Sequence, residues 1–119
     1  MSHSRRERLA ESLRNEIADL VRRELRDPRI GFVTLTAARV SPDLTHARLF
    51  VSVLGPEPIQ AESVRALNRA AGYLQRAVFK RLRLRKAMSF VFVLDPATRT
   101  GDRVEELLTE IRKHEQEEE

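Results

Sequence analysis

Leu67-Asn68-Arg69-Ala70-Ala71-Gly72-Tyr73-Leu74 is the stretch on which the fold turns. It sits inside a longer run, Ile59 to Leu82, whose apolar residues recur at helical spacing. At about 100° per residue, Val64, Leu67, Ala71, Leu74, Val78 and Leu82 gather on one side. Taking Arg65 as origin, Arg69, Arg76, Lys80 and Arg83 fall within about 60° of it on the opposite side. Tyr73 lies at the edge of that basic stripe. Gly72 interrupts the run near its middle, where glycine costs about 1 kcal/mol relative to alanine. Such a glycine marks a kink or a close backbone approach. The spacing therefore predicts two helices divided at Ala70-Ala71-Gly72, with one face on a core and the other basic.

Working outward, Gly55-Pro56-Glu57-Pro58 separates this helical pair from two runs of alternating pattern. Phe32 to Val40 puts Val33, Leu35 and Ala37 on one face and Thr34 and Thr36 on the other. His46 to Leu54 puts Ala47, Leu49, Val51 and Val53 on one face. Ser41-Pro42-Asp43 between them is turn chemistry, so the two strands are expected to pair as a hairpin. Upstream, Leu9, Leu13, Ile17, Leu20, Val21 and Leu25 recur at helical steps after a capping-box pair, Ser4 and Glu7. Asp27-Pro28 ends that helix, because proline disfavours helical geometry in the residue before it. Asp27-Pro28-Arg29 is expected to be a helix stop with a structural ion pair. Downstream, Ser89 to Leu94 is a third strand, closed by Asp95-Pro96. A last amphipathic helix is expected from about Asp102, using Val104, Leu107, Leu108 and Ile111. Phe32, Phe50, Phe90 and Phe92 are assigned to the core. The boundaries expected are one domain over 1–114 and a disordered acidic tail over 115–119, which has no apolar anchor.

Charge is unevenly spread. From Ser63 to Leu94 there are eight basic residues and no acid: Arg65, Arg69, Arg76, Lys80, Arg81, Arg83, Arg85 and Lys86. The whole chain is only +4, so the remainder is net −4. A domain that concentrates its positive charge in this way is expected to meet a polyanion. Arg5, Arg6 and Arg8 extend the basic surface, although Glu7 and Glu11 dilute them. A length of 119 residues suits one domain. The chain contains no cysteine, so disulfides and thiolate metal ligands are excluded. No apolar run approaches the roughly 20 residues that span a bilayer, and Met1 to Arg6 has no apolar stretch of a secretory signal. A cytoplasmic protein with no membrane association is expected.

Nothing points to catalysis. His3, His46 and His114 fall in three separate elements, whereas a metal site needs ligands that converge. A Gly-rich phosphate loop, a nucleophile elbow and a His-Glu metal motif are all missing. A non-enzyme without cofactor or metal is expected.

The predicted order is helix, strand, strand, helix, helix, strand, helix, an α+β arrangement. Its first six elements follow the order of a type II KH domain, which clamps nucleic-acid backbone at a turn between two helices. The usual Gly-x-x-Gly of that turn is replaced here by Ala70-Ala71-Gly72. Four stretches resemble the ribosome-binding factor A family in the right order. They are Asp27-Pro28-Arg29-Ile30-Gly31, Val40-Ser41-Pro42-Asp43-Leu44-Thr45-His46-Ala47, Leu67 to Leu74 as quoted above, and Arg81-Leu82-Arg83-Leu84-Arg85. The resemblance spans residues from about 5 to 110. It departs after Arg85, where the family usually has an aromatic and a proline and this chain has Lys86-Ala87-Met88-Ser89.

The resemblance implies a KH-like (type II) domain with an Ala-x-Gly kink that binds the immature small (30S) ribosomal subunit and its rRNA. It further implies a role in late maturation and processing of 16S rRNA. The RNA-binding residues expected are Arg65, Arg69, Ala70, Gly72, Tyr73, Arg76, Lys80, Arg81, Arg83, Arg85 and Lys86, in a monomer. The alternatives are a general single-stranded nucleic-acid binding module without a ribosomal target, and an adaptor whose basic helices meet an acidic protein.

Overall fold

The computed structural model describes residues 4–96 apart from Arg26. The expected C-terminal helix near Asp102 and the tail 115–119 lie outside the described residues. The elements run α1 (Arg5–Glu24), β1 (Val33–Val40), β2 (His46–Val53), α2 (Glu57–Arg69), α3 (Ala71–Arg81) and β3 (Ser89–Leu94). This is the expected order.

Helix α1 begins because Ser4 Oγ accepts the Glu7 amide at 3.1 Å, satisfying a first-turn donor. Leu13, Ile17, Leu20 and Val21 are its buried stripe, laid mainly against β1. After the helix, the Asp27 carboxylate accepts the Arg29 amide at 2.9 Å and Arg29 Nε at 3.0 Å. The stop is thus an ion-paired turn, as its residues suggested. The side-chain bond from Arg29 comes first among the causes that hold the Asp27 carboxyl below its ordinary value.

The sheet has the order β1-β2-β3, with β1 antiparallel and β3 parallel to β2. The β1–β2 register shifts between Leu35, opposite Val51, and Ala37, opposite Phe50. Thr36 is the extra residue of this bulge, and its hydroxyl donates to the Asp95 carboxylate at 2.6 Å and the Phe50 carbonyl at 3.2 Å. One inserted residue reverses the faces beyond it. Inward of the bulge lie Val33 and Leu35, and beyond it Ala38 and Val40. Ala37 therefore turns to the open face, contrary to the strict alternation read for β1. Its partner Phe50 stands on that face too, because Leu49 and Val51 on either side of it point inward, so it leaves the core to which it was assigned. Phe32 also leaves the core and is 81% exposed, since Val33 beside it faces inward. Phe90 and Phe92 are buried as expected.

Leu67, Ala71, Leu74 and Val78 bury the inner face of α2 and α3 against the sheet. Ser63 is fully buried on α2, where it accepts the Gly31 amide at 3.1 Å and donates to the Arg29 carbonyl at 3.2 Å. That pair pins the α1–β1 loop to α2. Helix α3 closes in a Schellman motif: Leu84 N donates to Phe79 O at 3.1 Å and Arg83 N to Lys80 O at 3.3 Å. Arg83 takes the left-handed position of this motif, with φ +50°. It therefore lies past the helix and not on the helical stripe assigned to it.

Candidate nucleic-acid interface

The break between α2 and α3 falls at Ala70, with φ −86° and ψ −1°. Its amide is shared between Ala66 O and Leu67 O, both at 3.1 Å, while Leu74 N already donates to Ala70 O. Ala71 and Gly72 open the next helix. The position of the kink agrees with the sequence, but the conformational reason does not. Gly72 is an ordinary helical residue: the left-handed glycine among the described residues is Gly55, with φ +129°. Apart from its own helix backbone and chain neighbours, a Cβ at Gly72 would meet, among the described residues, the Arg76 guanidinium at 3.4 Å and nothing else within 4 Å. The missing side chain lets Arg76 fold back over the start of α3. No side chain caps that helix start, which carries the positive end of the helix dipole.

Arg65 and Arg69 on α2 and Arg76 and Lys80 on α3 are all exposed. None of the four forms an ion pair among the described residues. Tyr73 and Phe79 stand beside Arg76 and Lys80 around an open groove of about 660 Å³. Phe79, 40% exposed, was passed over in the sequence reading. The signal was there: at about 100° per residue it falls roughly 40° from Arg65, within the basic stripe.

Arg81 and Tyr73 are differently employed. Arg81 Nη1 donates to Glu16 at 3.2 Å and to Asp19 at 3.3 Å, and Nη2 lies 3.5 Å from Glu24. The Tyr73 hydroxyl donates to the Glu24 carboxylate. That bond, with partial burial, holds the phenol above its ordinary value. Both side chains tie α3 to α1 and so orient the basic stripe beside them.

The remaining cations gather elsewhere. Arg83, Arg85 and Lys86 share a groove of about 430 Å³ with Arg5 and Arg8 from the start of α1, and no acid is among its described lining residues. Proximity in space overrides the dilution by Glu7 and Glu11 that the linear sequence suggested. Below this groove Met88 is 5% exposed, so the departure from the family pattern supplies a core residue. Among the described residues, no group of three or more His, Asp or Glu could hold a metal ion. No described helix is long and apolar enough to cross a membrane.

The model of the family described as "Ribosome-binding factor A" matches residues 5–108. This chain belongs to the ribosome-binding factor A family. A Desulforamulus reducens member is 43% identical over 97% of this chain and 95% of its own. An Anaeromyxobacter dehalogenans member is 45% identical over 98% of this chain and 85% of its own. Among solved structures, the crystal structure of ribosome-binding factor A from Thermus thermophilus superposes with a TM-score of 0.68 at 27% identity, covering 76% of this chain and 97% of that one. The solution structure of a Thermotoga maritima protein described as a putative ribosome binding factor A gives 0.69 at 32% identity, covering 78% and 90%. A Thermus thermophilus homology model fitted into a cryo-EM map of a 30S–RbfA complex gives 0.65 at 28% identity, covering 77% and 97%.

Proposed function

We propose that this chain is a cytoplasmic assembly factor that binds the immature small ribosomal subunit through its rRNA and assists late maturation and processing of 16S rRNA. The reading is supported by one coincidence. The family match over residues 5–108 covers the same α2–α3 pair that exposes four cations free of ion pairs among the described residues. The Thermus thermophilus relative fitted into a 30S complex supports the choice of subunit.

In this proposal Arg65, Arg69, Arg76 and Lys80 engage phosphates along the helix pair. Arg83, Arg85 and Lys86, with Arg5 and Arg8, engage them at the adjacent groove. The Ala70–Gly72 backbone approaches the RNA where α3 begins, a helix end suited to anions. Tyr73 and Arg81 position the stripe through α1. The domain acts as a monomer, by binding and not by catalysis. It favours one rRNA conformation by its differential affinity for that conformation.

Co-sedimentation tests this. The protein is expected to travel with free small subunits and not with full ribosomes. Unlabelled small subunits are expected to displace it where unrelated single-stranded RNA does not. Equal displacement by both RNAs would favour a general single-strand binder, and no displacement by either would remove RNA from the reading.

A further inference from the structure

The face of the sheet turned away from the helices carries a second basic cluster. Arg39 on β1 and Arg48 on β2 are register partners and both are exposed. Like charges directly opposed across two strands are destabilising, so the fold carries this pair at a loss that uncharged polar residues would not impose. Arg48 in turn stands beside Val91 of β3. From α1, Arg6 reaches the same place, its Nε donating to the Val40 carbonyl. His46 completes the rim of a groove of about 330 Å³ in which no carboxylate is found among the described lining residues.

Neither Arg39 nor Arg48 forms an ion pair among the described residues. Asp43 in the neighbouring turn already accepts from Ser41 Oγ and Thr45 Oγ1, both at 2.7 Å. The Arg39 guanidinium lies over the Phe50 ring, 5.9 Å from its centroid. A contact of this kind uses none of the guanidinium N–H donors, which stay available to an acceptor. This cluster is separated from the helical stripe by the core, because α2 and α3 pack on the other face through Leu67, Leu74 and Val78.

We propose that Arg6, Arg39 and Arg48 on the open sheet face form a second polyanion surface, which takes phosphates of an RNA segment distinct from the one held by the helices. The proposal rests on the reading of RNA as the partner. A domain gripping two segments on opposite faces fixes their separation, which gives binding a direct means of selecting one rRNA arrangement.

The test compares wild type, Arg39→Gln/Arg48→Gln and Arg69→Glu/Arg76→Glu for binding to free small ribosomal subunits across a salt series. The glutamine pair is expected to melt close to wild type, since the like-charge contact it removes offsets the lost Arg39–Phe50 contact. Its affinity is expected to fall about tenfold, and the slope of log affinity against log salt to shrink by about 1.4, at roughly 0.7 per phosphate contact. A photo-reactive phenylalanine analogue at Val91 is expected to crosslink to rRNA at nucleotides other than those reached from Phe79. Unchanged affinity and slope in the glutamine pair, with binding lost in the glutamate pair, would overturn the sheet-face proposal alone. Crosslinks from Val91 to a ribosomal protein and not to RNA would overturn it as well. If neither pair weakens binding, the RNA reading itself fails.

Discussion

Asn68 on α2 holds Phe92 on β3 through both ends of its amide: Nδ2 donates to the Phe92 carbonyl at 3.1 Å and Oδ1 accepts the Phe92 amide at 2.8 Å. Gln75 on α3 does half as much one step along, its Oε1 accepting the Phe90 amide at 3.0 Å. Because β3 is an edge strand of the sheet among the described residues, these are backbone groups that would otherwise face outward as a template for another chain. The helices on either side of the kink each contribute one amide to the same strand, which fixes the kinked pair against the sheet.

Replacing Asn68 with alanine is therefore expected to lower stability by about 2 kcal/mol, two hydrogen bonds at roughly 1 kcal/mol each. Denaturant titration measures it. Aggregation near the unfolding midpoint is expected to rise, since the Phe92 edge loses its cover. A loss below about 0.5 kcal/mol, the range of an ordinary surface change, would show that water replaces the amide without penalty.

Gly72→Ala separates folding from binding. With no left-handed φ and only a flexible guanidinium near the new Cβ, the change is expected to raise stability by up to about 1 kcal/mol on helix propensity. Affinity for small subunits is expected to fall, because the methyl group keeps RNA from the backbone at the start of α3. Thermal melting and subunit binding, measured on one variant, move in opposite directions. A more stable variant with undiminished binding would remove Gly72 from the interface.

Arg76 and Arg81 are expected to differ although the sequence groups them. Arg81→Gln removes the contacts to Glu16, Asp19 and Glu24. These are partly solvent-screened pairs, so the stability loss is expected to stay within about 1 kcal/mol, with subunit affinity within about twofold. Arg76→Gln is expected to leave melting unchanged and weaken binding several-fold. Equal binding losses in the two variants would return Arg81 to the RNA surface.

The hairpin turn carries a pH signature. Hydrogen bonds from Ser41 and then Thr45 hold the Asp43 carboxyl at about 2, below the ordinary 3.8. A depressed carboxyl contributes stability that is complete above its unfolded value and is lost as pH falls through the folded one. The stability advantage of wild type over Asp43→Asn is therefore expected to be constant above about pH 4 and to close toward pH 2. Denaturant titrations across that window decide it, and a gap that persists at pH 2 would show that the carboxylate charge is not what orders the turn.

Much of this site was legible in residue order. The outward stripe of Arg65, Arg69, Arg76 and Lys80 follows from helical period alone, and so does the buried face of Leu67, Leu74 and Val78. Phe79 obeys the same rule, since its helical angle alone puts it among these cations. Arg83 was misplaced. It continues the helical angle, but α3 closes before it in a left-handed turn that lacks the usual glycine.

What the amino-acid sequence determined by itself is local: the order of elements, the inner and outer faces of each helix, the ion-paired stop at Asp27-Pro28-Arg29 and the division at Ala70. These depend on backbone preferences and short-range periodicity, which act within a few residues. Tertiary structure decided the rest. The bulge at Thr36 set which of Ala37 and Ala38 faces the core, through bonds to Asp95, 59 residues away. Packing of α3 on α1 turned Arg81 into a clasp and brought Arg5 and Arg8 beside Arg85. The opposition of Arg39 and Arg48 exists only once the strand register is set. Each is a relation between residues far apart in the chain, and it acquires an energy only when the core holds them within reach of one another.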